Sequence, residues 1–441
     1  NLVSRGVVVV TIQYRVGFYG FFTTFTEQFP ANRGLYDQIM ALRWVKEEIE
    51  HFGGDSSRIT IFGQSAGAIS VADLSLSPLA RGLFHQLIQS SGSSMQQLET
   101  IDNPSGSIHK KRVYQICGIN STDWGSVGKD RVLLDCLSQT LSEDLVAHDF
   151  SGDGINWNVA IDGALLPAHP KILAKSRPHY PVLMGDMLED FALFIPGVTV
   201  DITKISSHTN QEIQQFNAPY LDDESAKTMS DMMTAAYADE KIPRDDDHVG
   251  WARLVADMNT GLGFSAMISR DAQWHLNNSN DNVWLFTFAL RSLLAHNISI
   301  DGWIPVAHGA ELPYLWFFPN IWETYNATDT DLAVANYTGG LWTHFAKYGE
   351  LPVPRAGESM NYLDIGDSLT VRSNWRRKAD DVYNKERFSS ILASNSNEIQ
   401  QFPEYFGEFP PLHISDESWA RLRATGDKVI AKWNTMTCPH I

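Results

Sequence analysis

Apolar runs and a helical pattern alternate along the first sixty residues. Val7 to Ile12 is an unbroken run of mostly β-branched residues, typical of a parallel strand that is covered on both faces. Apolar residues then recur every three or four positions from Leu35 to Ile49, ahead of two glycines at 53 and 54, which predicts an amphipathic helix and its end. Arg58 to Phe62 follows as a second apolar run. This order predicts a β-α-β unit, and therefore a parallel sheet with helices on its faces.

The same alternation continues through the rest of the chain. Further strands are predicted at Leu87 to Gln89, Tyr180 to Met184 and Val283 to Phe288, separated by long segments that must cross or cover the sheet. No internal repeat, low-complexity tract or linker rich in proline and glycine divides the 441 residues. We therefore expect one domain of the α/β class over residues 1–441.

Composition and charge narrow the class of protein. Hydrophobic residues make up 43% of the chain and charged residues 20%, as in an ordinary globular enzyme. The formal net charge of −18 repels phosphate backbones and anionic lipid surfaces, so nucleic acid is not expected as a partner. An acidic field attracts cationic substrates, but it serves solubility equally well. No stretch reaches the ~20 apolar residues of a membrane-spanning helix, so no transmembrane segment is expected.

Cysteines and glycosylation sequons bear on the cellular compartment. Cys117 and Cys136 enclose a short polar loop and could pair, whereas Cys438 has no evident partner in the sequence. Asn-X-Ser/Thr sequons occur five times, at Asn120, Asn277, Asn297, Asn326 and Asn336. Five acceptor sites beside a cysteine pair favour a glycoprotein of the secretory pathway, secreted or lumenal, over a cytosolic protein with free thiols.

A strand-turn-helix motif carries the candidate chemistry. The sequence Gly-Gln-Ser-Ala-Gly at residues 63–67 follows the apolar run that ends at Phe62 and leads into a helical stretch from Ala66 to Leu76. That setting is what a nucleophile elbow requires. A serine on such a turn projects its hydroxyl above the sheet at a helix N-terminus, and it needs a base to become nucleophilic. We therefore predict Ser65 as the acylated nucleophile and the N–H of Ala66 as an oxyanion donor.

Further motifs surround the elbow: Tyr14-Arg15-Val16-Gly17, Gly34-Leu35-Tyr36-Asp37-Gln38, Phe52-Gly53-Gly54-Asp55 and Gln89-Ser90-Ser91-Gly92. Together they resemble the type B carboxylesterase family, which includes carboxylesterases, cholinesterases, juvenile hormone esterases and related lipases. The resemblance weakens beyond the early block and runs to about Arg372. It implies an α/β-hydrolase fold, with a mostly parallel central sheet flanked by helices. It also implies small-molecule carboxylic esters as substrates and an acyl-enzyme mechanism without metal or cofactor.

The resemblance extends to the other two members of a catalytic triad. In α/β-hydrolases the chain order is serine, acid, histidine, and Val306 to Glu311 is similar to the family's His-Gly-X-Glu loop, which points to His308 as the base. The family's acid lies five residues after the glycine that ends a strand, and counting from Gly185 gives Asp190. Because glutamate is the usual residue there, the adjacent Glu189 stays open as the alternative acid. The pair Cys117–Cys136 likewise matches a disulfide loop of the family.

Two other functions compete with that of a general carboxylesterase. Cholinesterases carry glutamate before the nucleophile, where this chain has Gln64, so uncharged esters are favoured over cationic ones. The second alternative is a non-catalytic relative serving in adhesion or recognition. Such relatives usually lose the serine or the histidine, and both Ser65 and His308 stand in this sequence. An enzyme is therefore expected.

The start of the chain leads to a separate expectation. The sequence begins at Asn1 without an initiator methionine or a signal peptide, and it enters the first apolar run within a few residues. The family's glycine-rich oxyanion loop lies N-terminal to that run, and no such loop occurs in this sequence. We therefore expect that an N-terminal portion with the first strands is absent, and that residues 1–441 alone are inactive.

Overall fold

The computed structural model describes residues 1–94, 116–119, 127–146, 157–195, 237, 243–244, 246–295, 302–316 and 318–381. Within them six strands form one sheet whose spatial order follows the sequence: β1 (Thr60–Gln64), β2 (Gln86–Ser90), β3 (Val182–Met187), β4 (Val283–Phe288), β5 (Tyr362–Ile365) and β6 (Leu369–Arg372). Neighbouring strands from β1 to β5 run parallel, and β6 pairs antiparallel with β5. The expected α/β class with a mostly parallel sheet is confirmed.

Helices of the described residues connect the strands and cover the sheet. In chain order they are α1 (Gly17–Phe21), α2 (Arg33–Glu48), α3 (Ala66–Leu76), α4 (Val127–Gln139), α5 (Ser142–Val146), α6 (Pro170–Leu173), α7 (His248–Thr260), α8 (Ala266–Asn277), α9 (Leu312–Trp316), α10 (Pro319–Thr324), α11 (Asp329–Tyr348) and α12 (Arg377–Ala379). Short 3₁₀ helices lie at Val3–Arg5, Ile49–Phe52, Pro78–Ala80, Ala174–Ser176 and Asp190–Phe194, and a π-helical turn lies at Gly261–Ser265. The helix predicted from Leu35 to Ile49 is α2.

The central strands bury both of their faces, because successive side chains of a strand point to opposite sides of the sheet. Leu87 and Leu285 pack on one face in a cluster with residues of α2, α3 and α8. Their neighbours Ile88 and Phe286 pack on the other face in a cluster with residues of α11. All residues of β2, β3 and β4 are buried. Double coverage explains why these strands appear in the sequence as continuous apolar runs.

The first predicted strand is not present. Residues 6–16 have neither helix nor strand structure. Val7 and Val9 pack against the cluster on the α11 face, whereas Val8 and Val10 are 46% and 41% exposed. The prediction of a strand covered on both faces is therefore wrong for the described residues. An apolar run predicts a chain segment suited to a sheet, but a strand also requires a partner for its backbone hydrogen bonds.

Two further predictions concern the covalent structure and the membrane. A disulfide joins Cys117 to Cys136 with Cα atoms 6.1 Å apart, as expected. The described helices include none that is both long enough and apolar enough to cross a bilayer. Cys438 and the sequon residues Asn120 and Asn297 lie outside the described residues.

Candidate active site

Ser65 lies on a sharp turn between β1 and α3. Its φ of 58° and ψ of −125° place it in a sparsely populated conformation for a residue with a side chain. The N–H of Ser65 donates to the carbonyl of Ser90 at the end of β2, at 2.9 Å, which holds the strained residue against the neighbouring strand. The turn directs the serine to the carboxyl edge of the sheet, where ligands of α/β proteins bind.

The glycines of the elbow differ in what they permit. A Cβ on Gly63 would lie 2.1 Å from backbone atoms of Gly67, so only glycine allows strand and helix to approach this closely. A Cβ on Gly67 would meet no atom within 4 Å, so this position has no steric need for glycine. A second close approach involves a glycine outside the elbow: a Cβ on Gly92 would lie 2.6 Å from the carbonyl oxygen of Ser65.

His308 and Asp190 form a buried hydrogen-bonded pair. Nδ1 of His308 lies 2.7 Å from Oδ1 of Asp190, and the backbone N–H of His308 donates to the carbonyl of Asp190 at 3.1 Å. The second carboxylate oxygen of Asp190 accepts from the N–H of Met187 and the hydroxyl of Ser91, both at 2.9 Å. Asp190 therefore has a fixed direction towards the imidazole before any substrate binds.

Glu189 points to a different part of the site. Its carboxylate forms an ion pair with Arg291 and accepts from the N–H of Val306 at 2.8 Å. Its backbone N–H donates to the carbonyl of Val306 at 3.0 Å. Of the two candidate acids, the structure brings Asp190 to the imidazole and uses Glu189 to anchor the loop that carries His308.

The surroundings of His308 favour its protonated form. Burial alone lowers the pKa of an imidazole, but the hydrogen bond and negative charge of Asp190, with the charge of Glu311, outweigh burial and raise the pKa of His308. The aspartate thus stabilises the imidazolium that a general base becomes when it takes a proton.

Gln64 contacts the other nitrogen of the imidazole. Its side-chain Nε2 lies 3.1 Å from Nε2 of His308. If Nδ1 carries its hydrogen towards Asp190, the Nε2 lone pair accepts from the amide of Gln64. Ser65 follows Gln64 in the chain, so this contact brings the elbow turn to the imidazole. The contact of Gln64 had no signal in the sequence.

A second buried carboxyl group lies beside the imidazole. Glu311 is fully buried and accepts from the hydroxyl of Ser90 at 2.5 Å. Burial, moderated by this hydrogen bond, raises the pKa of Glu311 to about 7. The negative charge of Glu311 is one of the causes that raise the pKa of His308. The sequence pointed to Glu311 only as part of the loop motif.

Ala66, the predicted oxyanion donor, is the first residue of α3 and is exposed. The first N–H groups of a helix have no partner within the helix, so this N–H is available to the negative oxygen that forms when Ser65 attacks a carbonyl group.

Ser91 is a residue of the site that sequence reasoning missed. It belongs to a motif noted above, but only the structure brings its hydroxyl to Asp190.

The chain is similar to known proteins over most of its length. The sequence matches the model of the carboxylesterase family over residues 1–390. It is 30% identical to human carboxylesterase 3 over 373 residues, which is 81% of this chain and 63% of that protein. It is 29% identical to mouse carboxylesterase 1C, covering 89% of this chain and 69% of the relative. Mouse neuroligin-2 is 30% identical over 84% of this chain and 46% of its own length.

The family match identifies the fold. The chain spans 63% of the length of human carboxylesterase 3. Carboxylesterases are α/β-hydrolases, and the mostly parallel sheet flanked by helices is that fold. The chain belongs to the carboxylesterase family.

Proposed function

We propose that this protein is a serine carboxylesterase in which Ser65, His308 and Asp190 act as nucleophile, base and acid. The observation that carries the proposal is the buried 2.7 Å contact between His308 Nδ1 and Asp190, at the sheet edge where the strained turn presents Ser65. We further propose that residues 1–441 belong to a single α/β-hydrolase domain.

The proposed mechanism has two halves that use the same residues. His308 Nε2 takes the proton from Ser65 as its oxygen attacks the ester carbonyl, and the Ala66 N–H stabilises the oxyanion. The imidazolium then donates the proton to the leaving alcohol, which leaves an acyl group on Ser65. Water activated by His308 repeats the steps and releases the acid. Asp190 holds the tautomer of His308 and stabilises the imidazolium without taking the proton.

Uncharged esters are the proposed substrates. The side chain beside the reacting nitrogen of His308 is the neutral amide of Gln64, which supplies no negative charge for a cationic alcohol. A cholinesterase-type activity remains the alternative within the esterases, and comparing a choline ester with an uncharged ester of similar shape distinguishes the two.

A non-catalytic role is the alternative outside the enzymes. Neuroligin-2, whose name states no hydrolase activity, is among the relatives. The hydrogen-bonding of Asp190 supports catalysis instead, because Ser91 and Met187 orient a buried carboxylate towards the histidine.

Passage through the secretory pathway is proposed on two observations. The Cys117–Cys136 disulfide is of a kind that persists in oxidising compartments. Three of the sequon residues, Asn277, Asn326 and Asn336, are exposed and thus open to glycosylation. We propose that the protein is a secreted or lumenal glycoprotein.

The pH dependence of hydrolysis tests the proposed base. Because the pKa of His308 is raised above its usual 6.5 and only the neutral imidazole is a base, kcat/KM should fall as pH drops through a value above 6.5. Gln64→Glu would place a negative charge beside Nε2, raise the pKa of His308 further, and move the fall upwards by about one pH unit. The measurement is kcat/KM for p-nitrophenyl acetate from pH 5 to 9 in the full-length protein.

A matched control separates local from general charge effects. Gln28 is exposed, so Gln28→Glu adds the same charge away from the imidazole and should leave the profile unchanged. A flat profile, or a profile that Gln64→Glu does not move, would count against His308 as the base with Gln64 at its reacting nitrogen.

A further inference from the structure

A π-helical turn lies beside the proposed base. Gly261–Ser265 joins α7 to α8 without a break in the helical backbone. A π turn inserts one extra residue into an α-helix, and such turns often occur at functional sites. Here the ring centroid of Phe264 lies 5.0 Å from that of His308, with 39° between the ring planes. The irregular turn therefore presents an aromatic side chain to the imidazole.

Hydrogen bonds at both ends of the turn fix it to β3 and to the 3₁₀ helix after β3, which begins with Asp190. At one end, the hydroxyl of Thr260 accepts from the N–H of Phe191 at 3.0 Å, in the residue after Asp190. At the other end, the buried hydroxyl of Ser265 donates to Asp186 of β3 at 2.5 Å. Phe264 is consequently positioned by the same segment that positions the acid.

A second aromatic ring extends the surface. Phe194 has its ring centroid 5.3 Å from His308 and 6.3 Å from Phe264, with 19° between the two phenyl planes. It is 48% exposed, and Phe264 is half-buried. We call Phe194 and Phe264 the aromatic wall. It is an apolar surface that a bound molecule can cover, next to the histidine.

The chemistry of the reaction indicates which part of an ester meets this wall. The leaving alcohol must receive its proton from His308, so the alcohol portion lies beside the imidazole while the acyl group is on Ser65. Gln64, whose amide lies at Nε2 of the imidazole, is neutral. An apolar alcohol portion loses contact with water by packing on the wall, whereas a polar one gains nothing there.

We propose that Phe264, presented by the π turn, is a specificity-determining residue that binds the apolar alcohol portion of uncharged esters. This proposal rests on the proposed esterase function and adds its substrate class. It predicts that activity grows with the apolar size of the alcohol, and that Phe264 is responsible for this growth.

The test compares two ester series with the full-length wild type and Phe264→Ala. One series keeps acetate and lengthens the alcohol from methyl to hexyl, and the other keeps the methyl alcohol and lengthens the acid to hexanoate. Phe264→Ala should lower the ratio of kcat/KM for hexyl to methyl acetate about tenfold, as removal of apolar contact in a pocket does. It should change the ratio of kcat/KM for methyl hexanoate to methyl acetate by less than about twofold. Phe264→Leu keeps an apolar side chain, so its ratio for hexyl to methyl acetate should lie between those of the wild type and Phe264→Ala.

The controls separate this proposal from loss of folding and from failure of the esterase function. Phe52 is 63% exposed in a 3₁₀ helix before β1, and Phe52→Ala should keep the wild-type ratios. Suppose that the wild type hydrolyses both series. If Phe264→Ala and Phe264→Leu then change neither the ratio of the alcohol series nor that of the acid series, or change only the latter, the role of Phe264 is wrong while the esterase function stands. A wild type that hydrolyses no ester overturns both.

A matched pair of substrates checks the charge preference. Acetylcholine and 3,3-dimethylbutyl acetate have alcohol portions of nearly the same shape, and only the first is cationic. Aromatic rings also attract cations, so the pair shows whether the wall selects apolar area or charge. We expect Phe264→Ala to reduce hydrolysis of the neutral ester at least as much as hydrolysis of acetylcholine. A loss confined to acetylcholine would overturn the assignment to uncharged esters.

Discussion

Ser65→Ala is expected to lower kcat for an uncharged ester by about 10⁶-fold, the largest effect that any single change should have. The substitution removes the atom that forms the acyl-enzyme and leaves only binding and oxyanion stabilisation. The measurement is steady-state hydrolysis of p-nitrophenyl acetate by the full-length protein. Ser57 is exposed, and Ser57→Ala serves as the control that should keep wild-type activity. Activity of Ser65→Ala within tenfold of wild type would reject Ser65 as the nucleophile.

The double substitution with His308→Gln sharpens this result. If Ser65 and His308 act in one mechanism, removing the second after the first costs little more, because neither works without the other. The changes in activation free energy caused by the two single substitutions should then be far from additive in the double variant. Additive losses in the double variant would show that the two residues contribute independently, which the proposed triad does not allow.

Asp190→Asn should have the second largest effect, a loss of about 10⁴-fold in kcat. The amide keeps the size of the side chain but removes the charge and can leave His308 with the wrong tautomer. Glu189→Gln, one residue away, is the matched comparison. It weakens the ion pair with the partly exposed Arg291 and should cost less than about tenfold.

Thermal unfolding followed by circular dichroism would show that both variants retain the fold. This check is needed because Asp190 also accepts from Met187 and Ser91, so its loss could act through the backbone. With both variants folded, a greater loss in Glu189→Gln than in Asp190→Asn would transfer the role of the acid to Glu189.

The sequence predicts secondary-structure elements better than it predicts which elements pair with one another. Periodicity predicts helix α2 and strand β4, because α2 is long and buries the apolar face of its pattern and β4 is strongly apolar and buried throughout. The run from Val7 to Ile12 has an equally strong pattern but forms no strand among the described residues. Pairing depends on a neighbour that a local pattern does not specify.

In the candidate site, too, contiguous motifs are more predictable than contacts between distant residues. The elbow could be predicted because strand, glycine, serine and helix are contiguous in the chain. Asp190 and Glu189 are adjacent, and their opposite directions depend on contacts with Ser91 and with Arg291, which is 102 residues from Glu189. Spacing within a segment cannot reveal such contacts. A resemblance to a family gave the position but not the direction of the side chain.

The π turn and the contacts that hold it were the least predictable. The π turn at Gly261–Ser265 follows from no periodicity, since an inserted residue leaves the flanking helices intact. Arg376 pairs with Asp186 from 190 residues away, at 3.0 Å. Asp186 is buried and also accepts from Ser265, so its pair with the partly exposed Arg376 helps to hold the turn. Only the folded chain connects these residues to His308.

In the proposed triad Ser65 is a nucleophile activated by His308. This role is tested most directly by labelling the full-length protein with a fluorophosphonate and identifying the modified peptide by mass spectrometry. We expect one adduct, on Ser65, formed rapidly in the wild type, slowed by orders of magnitude in His308→Gln and unaffected in Ser57→Ala. An unlabelled Ser65, or an adduct on another serine at the same rate, would contradict it.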